Sequence, residues 1–212
     1  MPGGWGMSMM WMRMPGQTWF ASALSFQLMW LAMMVAMMLP SALPMFLKTR
    51  RKWSALCFMA SGYFAVWLLV GIAIYPLGVK YMDLAMQSEL FSRSVPLTSG
   101  AFLIVAGAIQ FGRWKRIHLL CCRSPWGCTV SFIQSEPSFR LGCKQGLACC
   151  ACCTAPMLIL LVLGMMNPMV IALVTIVISA EKVLPRPEIT SQVVGIAAII
   201  AGGITIVASL AF

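Results

Sequence analysis

Long apolar runs, broken by short clusters of basic residues, set the pattern of this chain. Six of them are candidate membrane crossings: Phe20–Leu47, Ala55–Val79, Leu97–Phe111, Leu147–Met166, Pro168–Ala180 and Val193–Phe212. A bilayer core takes about 20 apolar residues per helix, so the pattern predicts an all-α, polytopic membrane bundle of about six transmembrane helices. The fifth run is the shortest, bounded by Asn167 and Glu181. It must extend with Lys182 snorkelling, or tilt against its neighbour in a tight hairpin. Asn167-Pro168 reads as a turn that places proline at the first position of a helix. Pro40 and Pro44 in the first run each remove a helix hydrogen bond, so a kink or an end is expected there. Between the second and third runs, Tyr81, Leu84, Ala85 and Phe91 fall near one helical face, as in a short helix lying in the interface.

Composition fits this reading. Of 212 residues, 61% are hydrophobic and only 9% charged, against about 25% charged in a soluble domain. The net charge of +10 would point to nucleic acid if it were clustered on one surface. Instead the basic residues lie between the apolar runs. Of the 15, all but Arg13, Lys80 and Arg93 fall in the first, third and fifth connections. The positive-inside rule then puts those connections in the cytoplasm and both termini outside. The lipid bilayer is the partner this implies, with no nucleic acid, in a cell membrane such as the bacterial inner membrane. Residues 1–19 form a methionine- and tryptophan-rich outer segment, and 20–212 a single transmembrane domain. Met1–Gly16 lacks the basic start and clean apolar stretch of a secretory signal. Small residues on the last run (Gly195, Ala198, Gly202 and Gly203) suit close helix packing.

The informative chemistry is sulfur. Cys143, Cys149, Cys150, Cys152 and Cys153 crowd the start of the fourth run. On a helix, Cys149 shares a face with Cys152 and Cys153, and Cys150 with Cys153. One helix can thus present two or three thiols to one soft ion such as Cu(I) or Zn(II). The competing reading is that cysteine packs as a small hydrophobe. Lys144 is the formal cation nearest in sequence to lower a thiol pKa there. In the third connection Cys121, Cys122 and Cys128 surround Arg123-Ser124-Pro125, and the only histidine, His118, precedes them.

Nineteen methionines add a second theme. Met29, Met33 and Met37 form a four-residue ladder, with Met34 and Met38 beside it. Thioethers are uncharged soft ligands that can line a path in lipid without the desolvation cost of a carboxylate. Met7, Met9, Met10, Met12 and Met14, interleaved with Trp5 and Trp11, make a candidate outer collector of Cu(I), or an interfacial anchor. Glu181 and Lys182 read as an anchoring pair at the end of the fifth run rather than an ion relay. No enzyme constellation is present: there is no nucleophile elbow, no P-loop and no dinucleotide fingerprint. The chain is not expected to be an enzyme.

Taken in order, Trp30, Met33, Ala36, Met37, Met38, Pro40 and Pro44, then Lys115-Arg116, Cys121-Cys122-Arg123-Ser124-Pro125, then Gly146, Cys149, Cys152 and Cys153, then Gly164-Met165-Met166-Asn167 and Glu181-Lys182, resemble the DUF2182 family. The resemblance covers about residues 25–188. It implies a metal-binding integral membrane protein and directs attention to Met33, Met37, Met38, Cys122, Cys149, Cys152, Cys153 and Glu181. Thr154 stands where that family often has tryptophan, and Cys121 where histidine is common. Cys152-Cys153-Thr154-Ala155-Pro156 is also loosely similar to the vicinal cysteines of bacterial mercury-uptake membrane proteins.

The reading is a membrane protein that binds, and relays or transports, a soft metal ion. Cu(I) is favoured over Zn(II) or Hg(II). The ligand set is Cys149, Cys152 and Cys153, with Cys150, Met33, Met37, Met38, Cys121 and Cys122. A metallochaperone or another membrane protein would be its partner. The alternative is a non-catalytic accessory subunit of a larger membrane complex, such as a copper-dependent enzyme. A redox pair within Cys149–Cys153 is a third option, disfavoured because adjacent side chains on a helix diverge.

Overall fold

The structure is a computed structural model of the chain and describes residues 16, 18–48, 52–123, 137–165 and 167–211. Among these there are seven helices and no strand. They are α1 (Trp19–Lys48), α2 (Trp53–Gln87), α3 (Glu89–Phe111), α4 (Arg113–Arg123), α5 (Ser138–Leu163), α6 (Pro168–Val183) and α7 (Pro187–Ala211). Five of them, α1, α2, α3, α5 and α7, are long and apolar enough to cross a membrane. The fold is a helical bundle of membrane type.

The sixth expected span is α6. Its 16 residues rise about 24 Å, fewer than the five long helices. It starts as the sequence predicts, with Pro168 in the first turn and the Asn167 side chain accepting a hydrogen bond of 3.0 Å from the Met169 amide. Its end departs from expectation. Glu181 and Lys182 are buried, not snorkelling or anchoring at a surface, because each finds a partner inside the bundle.

Two other expectations are resolved. Pro40 and Pro44 lie inside α1, which continues to Lys48, so of the expected kink or end the end does not occur. Proline within a packed membrane-type helix loses local hydrogen bonds, but neighbouring helices hold the chain on course. No separate helix lies between α2 and α3. α2 runs on to Gln87 and α3 begins at Glu89, with only Ser88 between them, and the Tyr81 and Thr98 hydroxyls meet at 2.8 Å across this hairpin. The third connection, in contrast, contributes an additional helix, α4. Met7, Met9, Met10, Met12, Met14 and Cys128 lie outside the described residues.

Two glycine contacts set the packing. A β-carbon on Gly142 would collide with the Met59 carbonyl, and one on Gly146 would lie 2.9 Å from the Tyr63 carbonyl. α5 therefore approaches α2 backbone to backbone, bringing Tyr63 to the level of the thiols. The same device joins α3 to α7, where Gly100 faces Gly202 and Gly107 faces Gly195. Gly203, in contrast, meets open space. α1 is registered on α2 by Trp30 Nε1, which donates to the Trp67 carbonyl at 2.9 Å, and by Gln27 Nε2, which donates to Leu68 O at 2.7 Å. The core runs between α1, α2, α4, α5 and α6. It is filled by Trp30, Trp67, Tyr63 and a group of methionines and cysteines.

Candidate metal centre

Cys149, Cys152 and Cys153 are each only 1% exposed. They sit in mid-α5, on the face turned to α1, α4 and α6. Their sulfurs are adjacent: Cys149 Sγ lies 3.7 Å from Cys153 Sγ, and Cys152 Sγ 3.6 Å from Cys153 Sγ. Cys122, near the end of α4, places its Sγ 3.1 Å from Cys152 Sγ. Met38 of α1 places its Sδ 3.9 Å from Cys149 Sγ on the other side. The result is a chain of five sulfurs, Met38–Cys149–Cys153–Cys152–Cys122, drawn from three helices. Within it, the thiols of Cys122, Cys149 and Cys152 all lie within 4.8 Å of one another.

α4 reaches this centre by an unusual use of its faces. Lys115, Leu119 and Cys122 share the buried side, while Trp114, Ile117 and Leu120 are exposed. Arg113 and Arg116 are exposed as well, so the departure from a water-facing helix is the one lysine turned inward. Lys115 can be buried because its Nζ meets Glu181 Oε1 of α6 at 2.7 Å, with both side chains 2% exposed. Gln145 of α5 donates to the carbonyls of Cys121 and Cys122, both at 3.4 Å, fixing the last turn of α4.

Cys149 is the most heavily partnered sulfur. Tyr63 Oη donates to it at 2.9 Å and Lys182 Nζ at 3.1 Å. Lys182 also donates to Ser41 Oγ at 3.1 Å, and Ser41 in turn to the Met38 carbonyl at 2.9 Å. Two donors aimed at one sulfur, one of them cationic, are the surroundings that stabilise a thiolate.

The structure thus gathers Cys149, Cys152, Cys153, Cys122 and Met38 into one centre. Met37 and Met34 are fully buried beside it, while Met33 is half-buried on the rim of the same core. Cys150 is turned to another face of α5, along a groove it shares with Trp67 and Lys144. Cys121 is disulfide-bonded and offers no free thiol. Cys57 is exposed, and His118 packs at a tilt on Trp114 with ring centroids 4.2 Å apart. Lys144 is exposed on the groove side, so Lys182 takes the role of cation beside the thiols. Tyr63, Ser41, Lys115 and Lys182 were not read from the sequence as parts of a site. The available signal was that charges in membrane segments are rare and mark functional positions.

Four thiols and a thioether, with no carboxylate among the donors, suit a soft monovalent ion better than a hard one. Fold and site together define a helical membrane-type protein with a buried cluster of sulfur side chains that could hold a metal ion. A family profile described as "PpoB2: Copper chaperone" matches residues 27–205. The chain belongs to this copper chaperone family. The match spans every helix of the centre and names a copper-related family, but not DUF2182. It starts beyond the methionine-rich segment of residues 1–19. No curated protein and no solved structure matches the chain.

Proposed function

We propose that this protein takes up Cu(I) in the membrane, holds it at the Cys149–Cys152–Cys153 centre, and passes it on by exchange of sulfur ligands. The observation that carries this reading is the unbroken sulfur series from Met38 to Cys122, with steps of 3.1–3.9 Å. An ion bound by two or three sulfurs can gain the next ligand before it loses the last, so no step strands it in an apolar core. Met37 and Met34, buried on α1, extend the series with neutral ligands.

Charge balance accommodates Cu(I) held by two thiolates. The buried formal charges around the centre are Lys115, Glu181 and Lys182, a net of one positive charge. Two thiolates with Cu(I) carry one negative charge, so the loaded centre is neutral overall. The cargo would be handed to a metallochaperone or a copper-dependent protein, and the chain itself would catalyse no reaction. The methionines of residues 1–19 would collect the ion on the outer side.

The test is copper stoichiometry and sulfur coordination of the purified protein beside a Cys149→Ser/Cys152→Ser/Cys153→Ser variant. The wild type is expected to bind Cu(I) with two or three sulfurs and the variant to lose the site. Full stoichiometry and affinity in the triple variant would overturn the proposal.

A further inference from the structure

The sulfur pairs of the centre are not equivalent as redox partners. Cys152 and Cys153 are neighbours, with α-carbons about 3.8 Å apart, inside the 4.4 Å minimum that a disulfide usually spans. Cys149 and Cys153 lie one turn apart on the same helix, where β-carbons are about 5–6 Å apart, beyond the roughly 3.5–4.5 Å a disulfide needs. Cys122 and Cys152 differ from both. They belong to different helices, their sulfurs face each other at 3.1 Å, and Gln145 holds the α4 backbone at Cys122 against α5.

We infer that Cys122 and Cys152 are a reducing dithiol that converts Cu(II) to Cu(I) as the cargo is loaded. This rests on the copper reading above and adds an activity to it. The step balances with two Cu(II) ions as the oxidant. Each ion accepts one electron, the two S–H bonds break, one S–S bond forms between Cys122 and Cys152, and two protons leave to water. The products are two Cu(I), one disulfide and two H⁺. Cys149, Cys153 and Met38 are not consumed and retain one Cu(I), the other Cu(I) leaves the centre, and Cys152 and Cys122 rejoin the sulfur series once an external small thiol reduces the disulfide. The disulfide also staples α4 to α5, directly beside the capturing Cys149, whose sulfur lies within 4.8 Å of both Cys122 and Cys152.

The test uses the full-length protein in lipid nanodiscs, reduced, freed of reductant and kept anaerobic, with two equivalents of Cu(II) added. The Cu(II) spin signal is expected to disappear and two Cu(I) per chain to appear with a chromogenic Cu(I) chelator after denaturation. Peptide mapping should then show a new Cys122–Cys152 linkage. Cys122→Ser and Cys152→Ser should each lower the Cu(I) yield about tenfold, whereas Cys57→Ser, on an exposed face, should match the wild type. Persistence of the Cu(II) signal, a linkage of Cys122 or Cys152 to any other cysteine, or wild-type yield in Cys122→Ser overturns the inference. Direct addition of Cu(I) in parallel separates the two readings. Normal Cu(I) uptake without Cu(II) reduction removes this inference alone, and loss of both removes the copper reading as well.

Discussion

Lys182 on α6 donates a hydrogen bond of 3.1 Å to the sulfur of Cys149 on α5, although the two residues are far apart in sequence. This contact sets both the charge and the geometry of the centre, and it suggests the first test. Replacing Lys182 with methionine keeps the volume but removes the cation that offsets a loaded dithiolate. A hydrogen bond to a charged group contributes about 1.5–3 kcal/mol. Cu(I) affinity, measured by competition with a calibrated chelator, should therefore fall about 10- to 100-fold. Unchanged affinity would mean that Lys182 does not compensate the bound ion.

The Lys115–Glu181 pair tests how α4 is held. Both groups are buried, and removing one partner from such a pair typically costs about 3–5 kcal/mol. Glu181→Gln should lower the thermal midpoint of the protein in detergent and loosen Cys122 from Cys152. A Glu181→Gln/Lys115→Met double variant should recover much of the loss, because no unpaired charge remains. A double variant no more stable than the single one would show that the pair contributes something beyond charge.

Met38→Leu conserves volume and should cost less than about 1.5 kcal/mol in stability. It removes the thioether that lies 3.9 Å from the Cys149 sulfur. X-ray absorption of the Cu(I) form should lose one sulfur scatterer, and affinity should fall several-fold. Met33→Leu, at the half-buried rim, should change neither. Equal effects from the two substitutions would place the ion elsewhere on α1.

Orientation follows from the distribution of basic residues rather than from packing. Cysteine labelling in intact cells should find position 52 protected and position 92 accessible from outside. Outside labelling of position 52 would overturn the orientation read from the basic residues.

The thiols on α5 were legible from spacing alone, because three- and four-residue separations put Cys149, Cys152 and Cys153 on one helical face. The helix positions were also largely legible from apolar runs. Lys182 was not. Reading a span by its apolar length assumes that a terminal charge reaches water, and only the fold of α4 supplies Glu181 with Lys115 and leaves Lys182 free to turn inward. Cys122 was named as a candidate, but its place beside Cys152 depends on α4 turning Lys115 and its thiols to the interior. The continuation of α2 to Gln87 was missed for a related reason. Polar residues such as Lys80 and Asp83 mark where a membrane helix leaves lipid, not where it stops being a helix.

The length of α6 has a mechanical consequence in lipid. At about 24 Å it is shorter than a hydrocarbon layer of about 30 Å, and its last turn keeps Glu181 and Lys182 inside the protein instead of extending them toward the headgroups. Such mismatch is relieved by local thinning of the lipid around the short helix, at a fraction of a kcal/mol per ångström. The dimple would lie beside the helix that carries Lys182, bringing the aqueous phase nearer to the sulfur centre than the five long helices alone would allow. The strain it stores would make copper loading sensitive to acyl-chain length, with shorter lipids favouring the protein's resting shape.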